Sequence, residues 1–142
     1  MSDLVNRVKD DILPIYSYRQ IRFSIGALPA CHADPNLLKQ VWMNLFTNAV
    51  KFTRSREIAQ IEIGAEEKDG RPCYFIRDNG IGFNMKYAEK IFVIFQHLNR
   101  QDEYEGTGVG LALVRRIIQR HGGRVWAEAE ADQGATFYFT LG

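Results

Sequence analysis

The sequence predicts an α/β two-layer sandwich, in which about three helices cover one face of a mixed, largely antiparallel sheet of about five strands. Short segments with alternating apolar residues, typical of strands, are adjacent in the chain at two places, where a turn sequence joins them. Longer segments with apolar residues three and four positions apart, typical of helices, separate these strand pairs. The 142 residues are expected to form one domain, residues 1–142, with a sizeable core.

The first elements precede a long helix. Residues 3–19 carry apolar side chains at mostly helical spacing, interrupted by a proline, and predict a strand entry plus a helix that packs on the sheet. Residues 22–25 alternate and predict a short strand. A helix over residues 35–53 follows, because Asp34 can cap its N-terminus and Pro35 suits the first helical position.

Three polar side chains lie together at the edge of the apolar arc of that helix. Asn44, Asn48 and Lys51 share this edge because positions i, i+4 and i+7 fall on one helix face. Asparagine is a poor helix former, and one such residue would be read as solvated or locally bonded. Two asparagines and a lysine favour a functional interpretation, with amide oxygens for a hard cation and an ammonium for a phosphate.

A hairpin follows, and its second strand ends in a short polar motif. Residues 60–65 alternate as a strand, residues 68–71 form a turn, and residues 73–77 return. The next residues are Asp78-Asn79-Gly80-Ile81-Gly82. A carboxylate at a strand end is well placed to accept a hydrogen bond from a buried ligand. A tight turn in which Asp78 bonds its own backbone explains the pattern equally well.

A short helix and a polar segment separate this motif from the last helix. Residues 84–95 are predicted to be helical, with Ile91, Phe92 and Phe95 as apolar anchors. Residues 96–105 are polar and without periodicity, which is typical of a mobile lid.

A glycine-rich stretch opens the last helix and consists of Gly106, Thr107, Gly108, Val109, Gly110 and Leu111. Its glycines allow a ligand to approach the backbone, and a helix N-terminus offers free N–H groups and a positive dipole end to a phosphate. Alone the motif is weak, because a flexible loop before a core helix explains it too. Strands at residues 124–130 and 136–140, joined by a turn at residues 132–134, complete the fold.

Composition excludes several classes of function. Eighteen basic and seventeen acidic residues give a net charge of +1, which favours neither nucleic acid nor an anionic membrane as a partner. The sequence has no apolar run of membrane-spanning length and no signal-peptide profile, so a cytoplasmic location is expected. Cys31 and Cys73 have no metal-ligand spacing and are expected to be reduced thiols.

Together these motifs resemble the ATP-binding catalytic domain of sensor histidine kinases, within the superfamily of gyrase, Hsp90 and MutL ATPases, and imply its Bergerat-type fold. Five boxes of that family occur in the right order and cover nearly the whole chain: an N box at residues 44–52, a first glycine box at 78–82, a phenylalanine box at 91–95, a second glycine box at 106–111 and a closing segment at 134–137. The stretch from Asp102 to Glu130 most resembles phytochrome-associated kinases.

The resemblance implies a role for each matching residue. Asp78 would accept from the adenine amino group, with Thr136 supporting the same base. Asn48, with Asn44 beside it, would ligate Mg²⁺, and Lys51 would contact a phosphate. The remaining positions implied to contact ATP are Gly80, Gly82, Phe95, Arg100, Gly106, Thr107, Gly108, Val109, Gly110 and Leu111.

The chain departs from a complete kinase. The family's phosphoacceptor histidine is usually followed by an acidic residue, whereas His32, His97 and His121 precede Ala, Leu and Gly. We therefore expect a catalytic domain that binds Mg-ATP without phosphorylating itself, and that works with a separate dimerisation domain and a downstream response regulator.

Three alternatives remain open at the level of sequence. A gyrase- or Hsp90-type ATPase usually carries a glutamate at position 44 as general base, and the amide of Asn44 cannot take a proton. A nucleotide-binding docking module without kinase activity and a serine-directed kinase of the same fold would both have these boxes. P-loop and Rossmann proteins are excluded, because no glycine-rich loop ends in Lys-Ser/Thr and the glycines follow a polar segment rather than a strand.

Overall fold

The fold consists of three helices against a five-stranded sheet, as the computed structural model of residues 1–88, 90–92 and 109–141 shows. The helices and strands are, in chain order, α1 (Ser2–Ile12), β1 (Gln20–Ile25), α2 (Pro35–Phe52), β2 (Ile58–Lys68), β3 (Arg71–Asp78), α3 (Val109–Arg120), β4 (Val125–Glu130) and β5 (Gly134–Phe139). The strand order is β1-β2-β3-β5-β4; β1 pairs with β2 in parallel and every other pair is antiparallel. The predicted fold class is confirmed.

The long helix α2 has the predicted N-terminal cap, and its C-terminus has a contact with Arg19 that the sequence did not indicate. Asp34 accepts from the backbone N–H groups of Asn36 at 2.9 Å and Leu37 at 3.2 Å, which satisfies donors that the first helical turn leaves free. At the other end, Arg19 donates to the carbonyl oxygens of Val50 and Thr53. A cation at a helix C-terminus also interacts favourably with the helix dipole.

Two predicted elements differ from the structure. No strand entry lies between residues 3 and 19, which form α1 and a 3₁₀ turn at Leu13–Tyr16. The described residues of the predicted helix 84–95 form two 3₁₀ turns, Met85–Tyr87 and Lys90–Phe92, instead of a helix. Glu89 and residues 93–95 lie outside the described part. Aromatic and β-branched residues of this segment are weak helix formers, so the tertiary contacts of its buried anchors determine its local geometry.

The main core lies between the sheet and the helices. Trp42 of α2 is fully buried and packs edge-on against Phe139 of β5, with ring centroids 5.1 Å apart. Phe92 packs edge-on against Phe137 at 6.2 Å. A smaller cluster on the outer face of the sheet contains Cys73, Phe75, Tyr138 and Trp126. Both cysteines are free thiols, as expected, and none of the described helices is long and apolar enough to cross a membrane.

Candidate functional site

Asp78 is a buried carboxylate at the end of β3. Its register places it beside Ile61 of β2 and Ala135 of β5, and only 5% of its surface is exposed. Burial raises the pKa of this carboxyl from 3.8 to about 6, although the backbone N–H groups of Gly80 and Ala135 act in the opposite direction. Such a group interacts strongly with any donor that enters the site.

The carboxylate is oriented by the turn that follows it. Asp78 Oδ1 accepts from Gly80 N at 2.8 Å, so the local turn that the sequence allowed is present. A carboxylate has about four lone-pair sites, so the backbone N–H groups of Gly80 and Ala135 leave others for a ligand. The turn and the ligand-binding interpretation are therefore compatible.

The glycines of this loop are required by the protein's own backbone. A side chain on Gly80 would collide with the carbonyl of Phe52 at the end of α2, and Ile81 N donates to that carbonyl at 3.1 Å. Gly82 has φ +60° and lies against the carbonyl of Glu130. Gly80 and Gly82 thus seat the loop between α2 and β4, and their predicted contact with a ligand stays a prediction.

Asn79 fixes the same loop to the start of β2. Its Oδ1 accepts from Gln60 N at 2.9 Å, and its Nδ2 donates to Ile58 O at 3.2 Å. Both ends of the amide are therefore used within the protein. This explains an asparagine between the aspartate and the glycine without a ligand.

Arg56 is a residue of the site that the sequence did not reveal. Its guanidinium donates to three backbone oxygens: Asn79 O at 2.8 Å, Gly80 O at 3.1 Å and Asp132 O at 2.7 Å. The first two belong to the loop after Asp78 and the third to the β4–β5 turn. Arg56 lies in a polar segment between α2 and β2, where an arginine carries no motif signal.

The other end of the site is formed where α2 meets α3. Asn44 Nδ2 donates to Gln40 O at 2.8 Å, within its own helix. A methyl group placed on Gly110 would lie 2.8 Å from Asn44 Oδ1. The predicted N box and second glycine box are therefore in contact, and the amide oxygen of Asn44 points towards the first turn of α3.

The remaining predicted residues on these two helices occupy different environments. Asn48 and Lys51 are half-buried and lie one and two turns after Asn44. Leu111 is 8% exposed and belongs to the core, so its side chain is not available to a ligand. Only the backbone of Val109 is described, as the first residue of α3.

Thr136 is not part of this site, which corrects the prediction that it supports the same ligand group as Asp78. In the β3–β5 register Thr136 lies beside Arg77 and Ala135 beside Asp78. Because successive strand residues face opposite sides of a sheet, Thr136 points to the outer face. There its Oγ1 accepts from Arg77 Nε at 3.2 Å.

Five predicted positions lie outside the described residues: Phe95, Arg100, Gly106, Thr107 and Gly108. Among the residues that the structure does describe, no group of three His, Cys, Asp or Glu side chains could hold a metal ion. The candidate cation ligands there are the amide oxygens of Asn44 and Asn48, a donor type that Mg²⁺ accepts.

The chain is similar to known proteins in both sequence and fold. Residues 33–142 match the family model of histidine kinase-, DNA gyrase B- and HSP90-like ATPases. Cyanobacterial phytochrome A of a Nostoc species is 49% identical over 114 residues, which cover 80% of this chain and 15% of the phytochrome.

Two solved structures have the same fold. The catalytic domain of histidine kinase ThkA, in a nucleotide-free form, has a TM-score of 0.79 at 28% identity, with 99% of this chain and 91% of that chain covered. Full-length ShkA, in complex with AMPPNP, has a TM-score of 0.78 at 31% identity, with 98% of this chain and 29% of ShkA covered. This chain therefore spans only a small part of the phytochrome and of ShkA.

Proposed function

We propose that this chain, which belongs to the family of histidine kinase-, DNA gyrase B- and HSP90-like ATPases, is the catalytic domain of a two-component sensor histidine kinase. In this role it would bind Mg-ATP and present the γ-phosphate to a histidine on a separate dimerisation domain. The family predicted from the sequence motifs is confirmed. The predicted sequence similarity to phytochrome-associated kinases is also confirmed, by the 49% identity to cyanobacterial phytochrome A.

The buried carboxylate of Asp78 is the observation that carries this proposal. The fold leaves an acidic group 5% exposed at the end of a central strand, where its charge is costly. An adenine amino group is a neutral donor that fits such an acceptor, whereas guanine presents a carbonyl oxygen at the corresponding position. Asp78 would thus bind the base and select ATP over GTP.

The contact between Asn44 and Gly110 supports a triphosphate site further along α2. Gly80 packs against Phe52, and Asn44 lies eight residues earlier, or about 12 Å along the helix axis. A nucleotide with its base at Asp78 could lie along this helix with its phosphates near the N-terminus of α3, whose N–H groups and dipole favour an anion.

The donor set near Asn44 fits a magnesium ion. The Nδ2–Gln40 bond turns the Asn44 oxygen away from its own helix, and Asn48 follows one turn later. The amide oxygens of Asn44 and Asn48 would hold Mg²⁺, which when bound would supply neutralisation of the phosphate charge. Lys51 would bind a phosphate as a point charge.

Phosphoryl transfer needs little covalent chemistry from the protein, so positioning of ATP is the main contribution of this domain. The relative ShkA has been solved with AMPPNP, which supports nucleotide binding by this fold. The histidine acceptor, the response regulator and a cytoplasmic location belong to the proposal for the whole receptor.

The test is calorimetric titration with ATP, with and without Mg²⁺, and with GTP as the control nucleotide. We expect a dissociation constant in the micromolar range, about −7 to −8 kcal/mol, a preference for ATP, and loss of binding in Asp78→Asn. The wild-type chain should form no phosphohistidine on its own and should phosphorylate a supplied histidine domain.

Other outcomes point to the alternatives. Absence of ATP binding by a folded sample would contradict the proposal, and binding without transfer to any supplied acceptor would favour a docking module. Rapid hydrolysis by the chain alone would favour a self-contained ATPase. Asn44→Glu, which introduces the carboxylate that Asn44 lacks, is the comparison variant for that activity.

A further inference from the structure

Arg56 connects the two backbone segments that surround Asp78. Its Nε donates to Asn79 O at 2.8 Å, and its Nη2 donates to Gly80 O at 3.1 Å and to Asp132 O at 2.7 Å. The first two oxygens belong to the residues that directly follow Asp78. The third lies across the loop, in the turn between β4 and β5.

These two segments are in contact elsewhere, so the arginine closes a compact unit. Asp132 N donates to Ile81 O at 2.6 Å. Gly134, at φ +103°, lies against the backbone carbonyl of Asp78, where any side chain would collide. The direction of the Asp78 carboxylate depends on this unit, because Gly80 N donates to its Oδ1 at 2.8 Å.

We propose that Arg56 is a positioning residue for base recognition: it holds the Asn79–Gly80 backbone so that the Asp78 carboxylate faces the base and stays shielded from water. This inference rests on the proposed function, since it concerns the same site. The side-chain hydrogen bonds of Arg56 among the described residues go to backbone oxygens, so it acts through Asp78.

The chemistry of the side chain explains what an arginine supplies at this position. A guanidinium carries five N–H donors in a rigid plane and can bond three carbonyl oxygens at once. A lysine ammonium reaches the same region as a point charge without the fork, and a glutamine amide offers two donors on a shorter chain. We therefore expect Arg56→Lys to preserve part of the function and Arg56→Gln very little.

Arg19 provides a matched control. Like Arg56, it uses its guanidinium to bond backbone carbonyls, those of Val50 and Thr53, but none in the loop after Asp78. Arg19→Gln thus removes an arginine–carbonyl clamp of similar size. It should lower the melting temperature without changing base selectivity.

The experiment has two readouts. The first is the ratio of ATP to GTP affinity by calorimetry, which we expect to fall about tenfold in Arg56→Gln, to fall less in Arg56→Lys, and to remain unchanged in Arg19→Gln. The second is the pKa of the Asp78 carboxyl, followed by carbon NMR in nucleotide-free protein. It should move from about 6 towards its ordinary range in Arg56→Gln, because a loosened loop admits water and burial is the largest cause of the raised pKa. Loss of the Gly80 N–H bond acts in the opposite direction and makes this change smaller.

The results separate this inference from the proposed function. If the wild-type chain binds ATP while Arg56→Gln retains both the ATP/GTP ratio and the Asp78 pKa, the role of Arg56 is wrong and nucleotide binding stands. If the wild type does not bind ATP, the proposed function is wrong, and so is the role of Arg56 in base selectivity, which depends on it. Should Arg56→Gln not fold, the same two measurements on Arg56→Lys decide.

Discussion

Replacing Asp78 by asparagine should change how the stability of the fold depends on pH. Burial raises the pKa of this carboxyl in the folded protein to about 6, against an ordinary value of 3.8. The folded state therefore binds a proton more tightly than the unfolded state. The stabilisation that results is fully present below the unfolded pKa and is lost as the pH rises through the folded pKa.

The magnitude follows from these two pKa values. Between about pH 4.5 and pH 7.5, linkage assigns to Asp78 a decrease of about 2 kcal/mol in the free energy of unfolding. Asparagine has no proton to exchange, so Asp78→Asn should lack this component whatever its effect on absolute stability. The change in stability between the two pH values should thus differ by about 2 kcal/mol between wild type and variant.

Denaturant unfolding at both pH values measures this difference, provided that the slope with denaturant is the same in both proteins. Asp69→Asn removes an exposed carboxylate from the β2–β3 turn and controls for the loss of one negative charge. Equal pH dependence in wild type and Asp78→Asn would refute the reasoning. It would mean that the carboxyl is hydrated in solution and that its burial does not explain its role.

Two glycine substitutions should have different effects: Gly134→Ala on the stability of the fold, and Gly110→Ala on ATP binding. Gly134→Ala should cost at least about 2 kcal/mol of stability, because φ is +103° and the new methyl meets the Asp78 carbonyl; a melting temperature equal to wild type would contradict this. Gly110→Ala lies inside α3, where alanine is the better helix former, so stability should not fall. The methyl would lie 2.8 Å from Asn44 Oδ1 and displace it, so the Mg²⁺-dependent part of ATP affinity should drop about tenfold. Titrations of both proteins with ATP, with and without Mg²⁺, measure this part of the affinity. If Mg²⁺ increased the ATP affinity equally in wild type and Gly110→Ala, that result would argue against Asn44 as a ligand of the ion.

The sequence predicted the helices and strands whose ends are determined by neighbouring residues, such as a helix cap. The start of α2 follows from Asp34 and Pro35, and its apolar arc is the buried face that contains Trp42. The first and last strands were found within a few residues of their observed ends. The family resemblance assigned Asn44 and Gly110 to the same nucleotide, but their contact comes from the structure, because no local pattern relates residues this far apart.

The failures have two physical causes. The role of Thr136 was implied by the family resemblance, and the sequence of β5 could not correct it, because every residue of this strand is buried and no alternation distinguishes the two faces of the sheet. Only the pairing with β3 makes that assignment. Arg56 was missed because its partners are backbone oxygens, which no residue type reveals.

The carboxylate of Asp78 lowers the stability of the fold, and the backbone around it is held rigidly. Ionisation of the carboxyl at this depth lowers the free energy of unfolding by about 2 kcal/mol between about pH 4.5 and pH 7.5. The same residue is surrounded by features that fix one backbone geometry: Asn79 bonded at both ends of its amide, two glycines against neighbouring carbonyls, and Arg56 across two segments. A protein selected for stability alone would place an apolar side chain at this position of a central strand. The chain instead keeps a destabilising acid here and immobilises the backbone around it. The acid is best explained by recognition of a hydrogen-bond donor on a ligand, and the rigid backbone by the need to hold the Asp78 carboxylate in one direction.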